Sequence, residues 1–175
     1  MESDRQLIDA INAGDAAAFE TLYHRYRDWV HQLAWRFTGN REDALDVVQE
    51  TFIYLLGKFP GFTLTASMTT FLYPAVKHTA LNLRRRKLPD RIDDELLAQV
   101  PTDAPEPARR SELATVLKTL PPEQREIVLM RFLDDMPLGE IAAALEIPLN
   151  TVKSRLYNAL RKLHDDPRTR DYFLG

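Results

Sequence analysis

Two blocks of helical periodicity, separated by a proline-rich acidic stretch, are the feature of this sequence that most restricts its fold. In each block apolar residues recur every three or four positions, and no segment shows the sustained alternation of a half-buried strand. Between the blocks, residues 88–110 carry four prolines and mostly acidic charge, which is typical of a flexible linker. The sequence therefore predicts an all-α chain with two small helical domains, residues 10–87 and 111–166, joined by that linker.

The charge balance limits the kinds of partner that the chain can bind. It has 23 Lys and Arg residues against 26 Asp and Glu residues, a formal net charge of −3, so contact with nucleic acid should be confined to local patches. The absence of cysteine excludes disulfides, thiolate zinc sites and cysteine nucleophiles. The N-terminus lacks the apolar core of a signal peptide, and no apolar run is long enough to cross a bilayer. We therefore expect a cytoplasmic protein without membrane insertion.

Residues 139–164, "GEIAAALEIPLNTVKSRLYNALRKLH", are typical of two short helices that meet at a corner. The first helix offers Ile141, Ala142 and Leu145 as its inner face, and the small Ala142 should let the two helices approach closely. The apolar residues of the second helix share its buried side: Val152, Leu156, Ala159, Leu160 and Leu163. Its outward side carries Ser154, Tyr157, Asn158 and Arg161, with Thr151, Lys153, Arg155 and Lys162 on the flanks.

This pattern predicts a helix-turn-helix, a motif whose second helix enters the major groove of DNA. The alternative is an ordinary helical hairpin with a solvated cationic face. On such a face acidic residues usually accompany Lys and Arg, and the outer face of this helix has none. The comparison favours DNA binding.

A second helix, within "EDALDVVQETFIYLLGKF", has a mixed outer face. Its predicted buried residues are Ala44, Val47, Val48, Thr51, Phe52 and Leu55. The outer side combines acids and an amide with two aliphatic residues: Asp46, Gln49, Glu50, Ile53 and, in part, Leu56. An apolar centre ringed by acids is typical of an interface with a basic partner, although scattered surface apolar residues are also common.

A second cationic stretch, "FTLTASMTTFLYPAVKHTALNLRRRK", begins as a Thr- and Ser-rich loop and continues as a helix that should start near Thr70. Its predicted inner residues are Leu72, Val76, Thr79 and Leu83, and Lys77, His78, Leu81 and Arg84 should lie opposite. Cations beside aromatic residues and a polar loop indicate binding of single-stranded nucleic acid. Core aromatics and favourable cations at a helix C-terminus are the alternative explanation.

In this order, the three elements resemble a bacterial RNA polymerase sigma factor of the sigma-70 family, from its extracytoplasmic-function (ECF) group. "LDVVQETFIYL" is similar to region 2.2 of that family, and "FLYPAVKHTALNLRRRK" is similar to regions 2.3 and 2.4. "LPPEQREIVLMRFLDDMPLGEIAAALEIPLNTVKSRLYNALRKL" looks like region 4. The resemblance covers about residues 10–164.

The resemblance implies a transcription initiation factor with core RNA polymerase (β′ clamp helices and β flap) and promoter DNA as partners. An anti-sigma factor is a further candidate partner. The implied polymerase-binding residues are Asp46, Gln49, Glu50, Ile53 and Leu56. The residues implied in melting and capture of the −10 element are Thr65, Ser67, Phe71, Lys77, His78, Asn82, Arg84 and Arg85. Those implied in reading the −35 element are Thr151, Lys153, Ser154, Arg155, Tyr157, Asn158 and Arg161.

Some positions depart from the family's usual residues. Phe71 stands where Trp is usual, and His78 stands where Asn is usual. Pro74 would interrupt a helix interior, which costs little if the helix begins near Thr70. These departures affect which promoter bases are read, and they leave the implied role in transcription initiation unchanged.

Two other classes of function are less consistent with the sequence. A stand-alone helix-turn-helix regulator normally dimerises on a palindrome, and the residues after His164 offer no dimerisation helix. An enzyme would need more than His24 and His31, which no paired carboxylates, phosphate loop or nucleophile accompany. We therefore expect neither an enzyme nor a cofactor.

Overall fold

The computed structural model describes residues 2–87 and 114–169, and every regular element in these two ranges is helical. The chain forms two compact units, Met1–Asp90 and Arg91–Gly175. The expected linker at 88–110 lies outside the described residues. The helices are α1 (Asp4–Asn12), α2 (Ala16–Thr38), α3 (Arg41–Leu56), α4 (Met68–Lys87), α5 (Pro122–Phe132), α6 (Leu138–Leu145) and α7 (Leu149–Asp165). None of these helices combines the length and apolarity needed to cross a membrane.

The first unit packs α1, α3 and α4 against the long helix α2. Local signals set the boundary between α2 and α3: Gly39 ends α2 in the left-handed region at φ 76°, and Asn40 caps α3 by accepting from the Asp43 amide at 2.8 Å. The helix α1 was not predicted from the sequence. This helix is nonetheless part of the core, since Leu7, Ile8 and Ile11 are buried.

The buried faces of α3 and α4 test the helical-wheel predictions. All six residues predicted inside α3 are buried, so that prediction is confirmed. On α4, Leu72 and Val76 are buried as predicted, but Thr79 and Leu83 are only half-buried. Met68, Tyr73 and Ala80 supply the rest of the buried face.

The predicted start of α4 near Thr70 is wrong by two residues, because the helix begins at Met68. Pro74 is therefore its seventh residue and lies beyond the first turn, where backbone donors would be free in any case. It has no N–H to donate to the Thr70 carbonyl. The ring of Pro74 is exposed, so the break in the hydrogen-bond ladder faces outward.

The second unit has a core built from the end of the helical segment at 114–117, α5 and α7. Its buried members are Val116, Leu117, Leu120, Val128, Leu129, Ala159 and Leu163, with Leu156 and Leu160 packed against them. The buried Arg125 of α5 ties the unit together: its guanidinium donates to the carbonyls of Leu117, Lys118 and Leu120 at 2.9–3.1 Å. Charged donors thus satisfy carbonyls that would otherwise be left open where that helical segment ends.

The corner between α6 and α7 forms as the sequence predicts. Glu146 adopts the left-handed conformation at φ 54°, and Pro148 precedes the first turn of α7. Of the residues predicted inside α6, Ile141 is buried, Ala142 and Leu145 are half-buried, and Ala144 is the buried small residue. The helices packed against α6 decide its rotation, and the residue spacing of α6 alone does not show them.

Candidate polymerase and nucleic-acid interfaces

A groove of about 530 Å³ runs along the surface between α2 and α3. Four of the five predicted polymerase-binding residues line it, Asp46, Gln49, Ile53 and Leu56, together with Phe19 and Tyr23 of α2. Glu50 is exposed but is not part of this lining.

Apolar side chains are unusually exposed at this groove. Ile53 is 67% exposed and Leu56 is 50% exposed, although both lie on a helix whose opposite face is fully packed. The rings of Tyr23 and Phe52 meet edge to face with centroids 4.7 Å apart and hold α2 against α3 below the groove. The floor is therefore a packed core, and the exposed aliphatics are available to a partner.

An ion pair joins the N-terminal end of α3 to the C-terminal end of α4. The Lys87 ammonium donates to the Asp43 carboxylate, and Asn40 Nδ2 donates to its other oxygen at 2.9 Å. Burial raises the pKa of Asp43, but the hydrogen bonds from Lys87 and Asn40 outweigh burial and hold that pKa below its usual value. The carboxylate thus stays charged near neutral pH and holds the C-terminal end of α4 on α3.

A pocket of about 500 Å³ opens between residues 62–67 and the first half of α4. Three aromatic rings contribute to its wall. Phe71 meets Phe62 at a centroid distance of 4.8 Å with an interplanar angle of 62°, and lies parallel to Tyr54 at 6.2 Å and 8°. Lys58 Nζ lies 4.5 Å from the Tyr54 ring centroid.

The polar part of the pocket wall is rich in hydroxyl groups. Thr65 is exposed, whereas Ser67 is half-buried and caps α4 by accepting from the Thr70 amide at 3.1 Å. The Ser67 hydroxyl also lies 2.9 Å from the hydroxyls of Thr69 and Thr70. The structure therefore gives Ser67 a local structural role, and Thr63 and Thr65 are the exposed hydroxyl residues of the wall.

Along α4, the predicted DNA-binding residues differ in exposure. His78 is exposed and lines the pocket, with the half-buried Asn82 amide 3.3 Å from its ring nitrogens. Arg85, seven residues after His78 and on the same side of the helix, is exposed. Lys77 and Arg84 were predicted to face outward but are half-buried, and one guanidinium nitrogen of Arg84 is fully buried.

Sequence reasoning missed Tyr54 and Lys58 as members of this region. Tyr54 is 48% exposed and lies directly after Ile53, so an outward aromatic beside an outward aliphatic was the available signal. The two neighbours belong to different surfaces: Ile53 lines the α2–α3 groove, and Tyr54 lines the pocket.

In the second unit, α7 presents its predicted −35 residues with graded exposure. Lys153, Ser154, Tyr157 and Arg161 are exposed, and Thr151, Arg155 and Asn158 are half-buried. The Ser154 hydroxyl donates to the Thr151 carbonyl at 3.1 Å.

The contact of Arg155 bears on the prediction that the cations of α7 lack acidic partners. Its Nη2 lies 3.5 Å from Glu123 Oε2, so this cation does have an acidic neighbour. The acid belongs to α5, and a wheel of α7 alone cannot include it. The argument that the outer face lacks acidic partners therefore fails for Arg155. Within α7, no acidic residue lies one turn from Lys153, but Asp165 lies one turn after Arg161 on the same side of the helix.

Comparison with known proteins agrees with this division into two units. The family model described as Sigma-70 region 2 matches residues 22–88, and the model described as Sigma-70, region 4 matches residues 110–163. The ECF RNA polymerase sigma factor SigW of Bacillus subtilis is 30% identical over 177 residues, covering 90% of this chain and 95% of SigW. The chain belongs to the ECF group of sigma-70 factors.

Other relatives of this ECF sigma factor show the same breadth of match. The RNA polymerase sigma-H factor of Pseudomonas aeruginosa is 32% identical over 176 residues, and the match covers 90% of this chain and 90% of that factor. Two solved structures share the fold: CnrH in complex with the cytosolic domain of CnrY (TM-score 0.69, 23% identity, 92% of this chain and 94% of that chain), and RpoE in complex with the anti-sigma factor NepR from Bartonella quintana (TM-score 0.64, 19% identity, 84% and 94%).

Membership of this family makes the protein a factor for transcription initiation. The aromatic pocket falls within the region 2 match, as does the α2–α3 groove apart from Phe19, and α7 falls within the region 4 match apart from its last two residues. Among residues 2–87 and 114–169, no group of three or more histidine or carboxylate side chains is arranged to hold a metal ion.

Proposed function

We propose that this ECF sigma factor binds core RNA polymerase through the α2–α3 groove, captures an extruded base of the −10 element in the pocket at α4, and reads the −35 element as duplex with α7. The observation that carries the proposal is the open aromatic pocket of about 500 Å³ beside the first half of α4, a helix whose last turn is cationic. Neither a helical hairpin nor a simple duplex reader needs such a pocket.

The pocket has the chemistry that an unstacked base requires. Tyr54, Phe62 and Phe71 provide apolar ring faces on which a base can stack. Thr65 and His78 provide polar groups for a base edge. Arg85 lies on the same side of α4, where it can bind the backbone phosphates that follow the captured base.

The α2–α3 groove has the character of a protein interface. Its exposed aliphatic residues can take the apolar side chains of a helical partner, and Asp46 can pair with basic residues at the rim. The clamp helices of the polymerase β′ subunit are the partner that family membership indicates. The β flap is the corresponding partner for the second unit, and the cytoplasm is where these partners meet promoter DNA.

An anti-sigma factor is a further proposed partner. Both similar structures are complexes, one of CnrH with the cytosolic domain of CnrY and one of RpoE with the anti-sigma factor NepR. A regulator of that kind would act most simply by occupying the groove that the polymerase needs.

Reconstitution with core RNA polymerase from the same organism tests the proposal. Mapping of transcript 5′ ends after overexpression would supply the promoter fragment. We expect the purified chain to co-elute with core polymerase and to direct run-off transcription from that fragment, with permanganate-reactive thymines in the −10 element. A chain that binds the promoter fragment as a dimer without core polymerase, and directs no run-off transcript, would instead be a stand-alone regulator.

Duplex recognition by α7 should divide between base contacts and phosphate contacts. Lys153 lies near the helix start, where side chains reach base edges, and Arg161 lies further along the same exposed side. We expect Lys153→Ala to cost about 1–3 kcal/mol at one base pair and to relax preference there. Arg161→Ala should weaken binding to all sequences alike and lower the salt slope by about one unit.

Binding of −35 duplexes to holoenzyme over a range of salt concentrations measures both effects. Lys118→Ala is the matched control, because it removes an exposed cation that lies in the same unit but outside α7. It should change neither quantity. A change of base preference in Arg161→Ala with an unchanged salt slope would contradict this allocation.

A further inference from the structure

We propose that Asn12 is a positioning residue for the −10 pocket, whose side-chain amide holds the loop between α3 and α4 in the shape that selects the captured base. The inference rests on the proposed capture function of the pocket. Asn12 itself does not line the pocket. It acts through Phe62, which does.

The contact between Asn12 and the loop is a set of three hydrogen bonds across 50 positions of sequence. Asn12 Nδ2 donates to the Phe62 carbonyl at 2.8 Å, and Oδ1 accepts from the amides of Gly61 and Phe62 at 2.6 and 3.2 Å. Gly61 has φ +103°, a conformation that favours glycine, and this turn lets both amides point at one oxygen. Only a primary amide supplies a donor and an acceptor in this arrangement.

The amide is attached to a rigid support. Asn12 is the last residue of α1, whose apolar side is buried against the rest of the unit. At the other end of α1, Asp4 accepts from the guanidinium of Arg25 at 2.5 Å and from the Tyr26 hydroxyl. Because both ends of α1 are fixed, Asn12 imposes a position on the loop and does not follow it.

The position of the loop decides the shape of the pocket. Phe62, whose carbonyl accepts from Asn12 and whose amide donates to it, packs edge to face on Phe71 and also meets Phe59 at 5.4 Å. Residues 63–67 continue from Phe62 and form much of the pocket wall. A shift of the backbone at residues 61–62 therefore moves an aromatic wall and the hydroxyl side chains together.

The test measures base selectivity, which a general loss of folded protein does not change. Full-length variants are combined with core RNA polymerase on the mapped promoter fragment, in four versions that carry each base at the −10 position most discriminated by wild type. Run-off transcript and permanganate reactivity are measured for each version. We expect Asn12→Ala to reduce the ratio between the best and worst base by about tenfold, because the loop loses its three anchoring bonds.

Two further variants make the result specific. Asn12→Asp keeps the acceptor for both amides but replaces the donor with a carboxylate oxygen that faces the Phe62 carbonyl, so its ratio should also fall below that of wild type. Should Asn12→Ala fail to fold, Asn12→Asp carries the test by itself. Asp9→Ala, at an exposed position on the same helix, is the matched control and should keep the wild-type ratio.

The outcomes separate this inference from the proposed function. If Asn12→Ala lowers transcription equally on all four templates, Asn12 has only a structural role and the inference is overturned. If Asn12→Ala cannot be purified in folded form, the inference is overturned when Asn12→Asp keeps the wild-type ratio between the best and worst base. If wild type opens no promoter, or opens all four versions equally, capture in the pocket is itself wrong and the inference falls with it.

Discussion

Replacing Ile53 by aspartate should release the protein from core RNA polymerase while leaving its fold intact. Ile53 lines the α2–α3 groove and is 67% exposed, so its side chain is free to be buried by a partner. Burying an aliphatic side chain of this size contributes about 1.5–3 kcal/mol, and a carboxylate placed in the same apolar contact is costly to desolvate. We expect polymerase affinity to fall by about 100-fold or more, with loss of all run-off transcription.

Folding should be nearly unaffected, because substitutions at exposed positions usually change stability by about 0.5 kcal/mol or less. Affinity is measured with labelled protein and core polymerase, and folding by circular dichroism and melting temperature. Gln32→Asp is the matched control: it adds the same charge at an exposed position of α2 that does not line the groove, and should bind as wild type does. Unchanged affinity of Ile53→Asp would exclude the groove as the polymerase site. Global unfolding would show instead that Ile53 is needed for the fold and is not free for a partner.

Filling the pocket should block promoter opening without affecting polymerase binding. Ala75 is half-buried on the pocket wall, so a phenylalanine at this position would occupy space that a base would need. Extruding a base costs a few kcal/mol of stacking and pairing, and a filled pocket cannot return that energy. We expect Ala75→Phe to reduce run-off transcription from a duplex promoter by about 100-fold or more.

A template with a mismatched −10 bubble distinguishes loss of opening from loss of activity in general. On this template the cost of unpairing is already met, so Ala75→Phe should recover most of the wild-type activity. Ala17→Phe, which adds the same ring at an exposed position of α2, is the matched control and should be active on both templates. Normal permanganate reactivity of Ala75→Phe on the duplex promoter would show that the pocket does not drive opening.

Several parts of the fold could be predicted because they depend on neighbours along the chain. The buried face of α3 follows from apolar spacing, and all six predicted residues are buried. The caps at Gly39 and Asn40 and the corner at Glu146 follow from local conformational preferences. The family could be predicted for the same reason, since its motifs are continuous stretches of sequence.

The errors occur where a distant element decides the outcome. Arg155 has an acidic neighbour because α5 brings Glu123 to within 3.5 Å, and no property of α7 indicates this. Lys77 and Arg84 are half-buried although the wheel placed them outward. A wheel gives the direction of a side chain from its own helix axis, whereas exposure also depends on what packs beside that helix.

The sequence by itself determined that the regular elements of residues 2–87 and 114–169 are helices and which helix faces are apolar, because periodicity and turn chemistry are local properties. Only the tertiary structure decided which residues share a site. It brings Asn12 to a loop 50 positions away, and it assigns the neighbours Ile53 and Tyr54 to a groove and a pocket respectively. A site is a set of long-range contacts, and these form when packing, not spacing, selects the partner of each face.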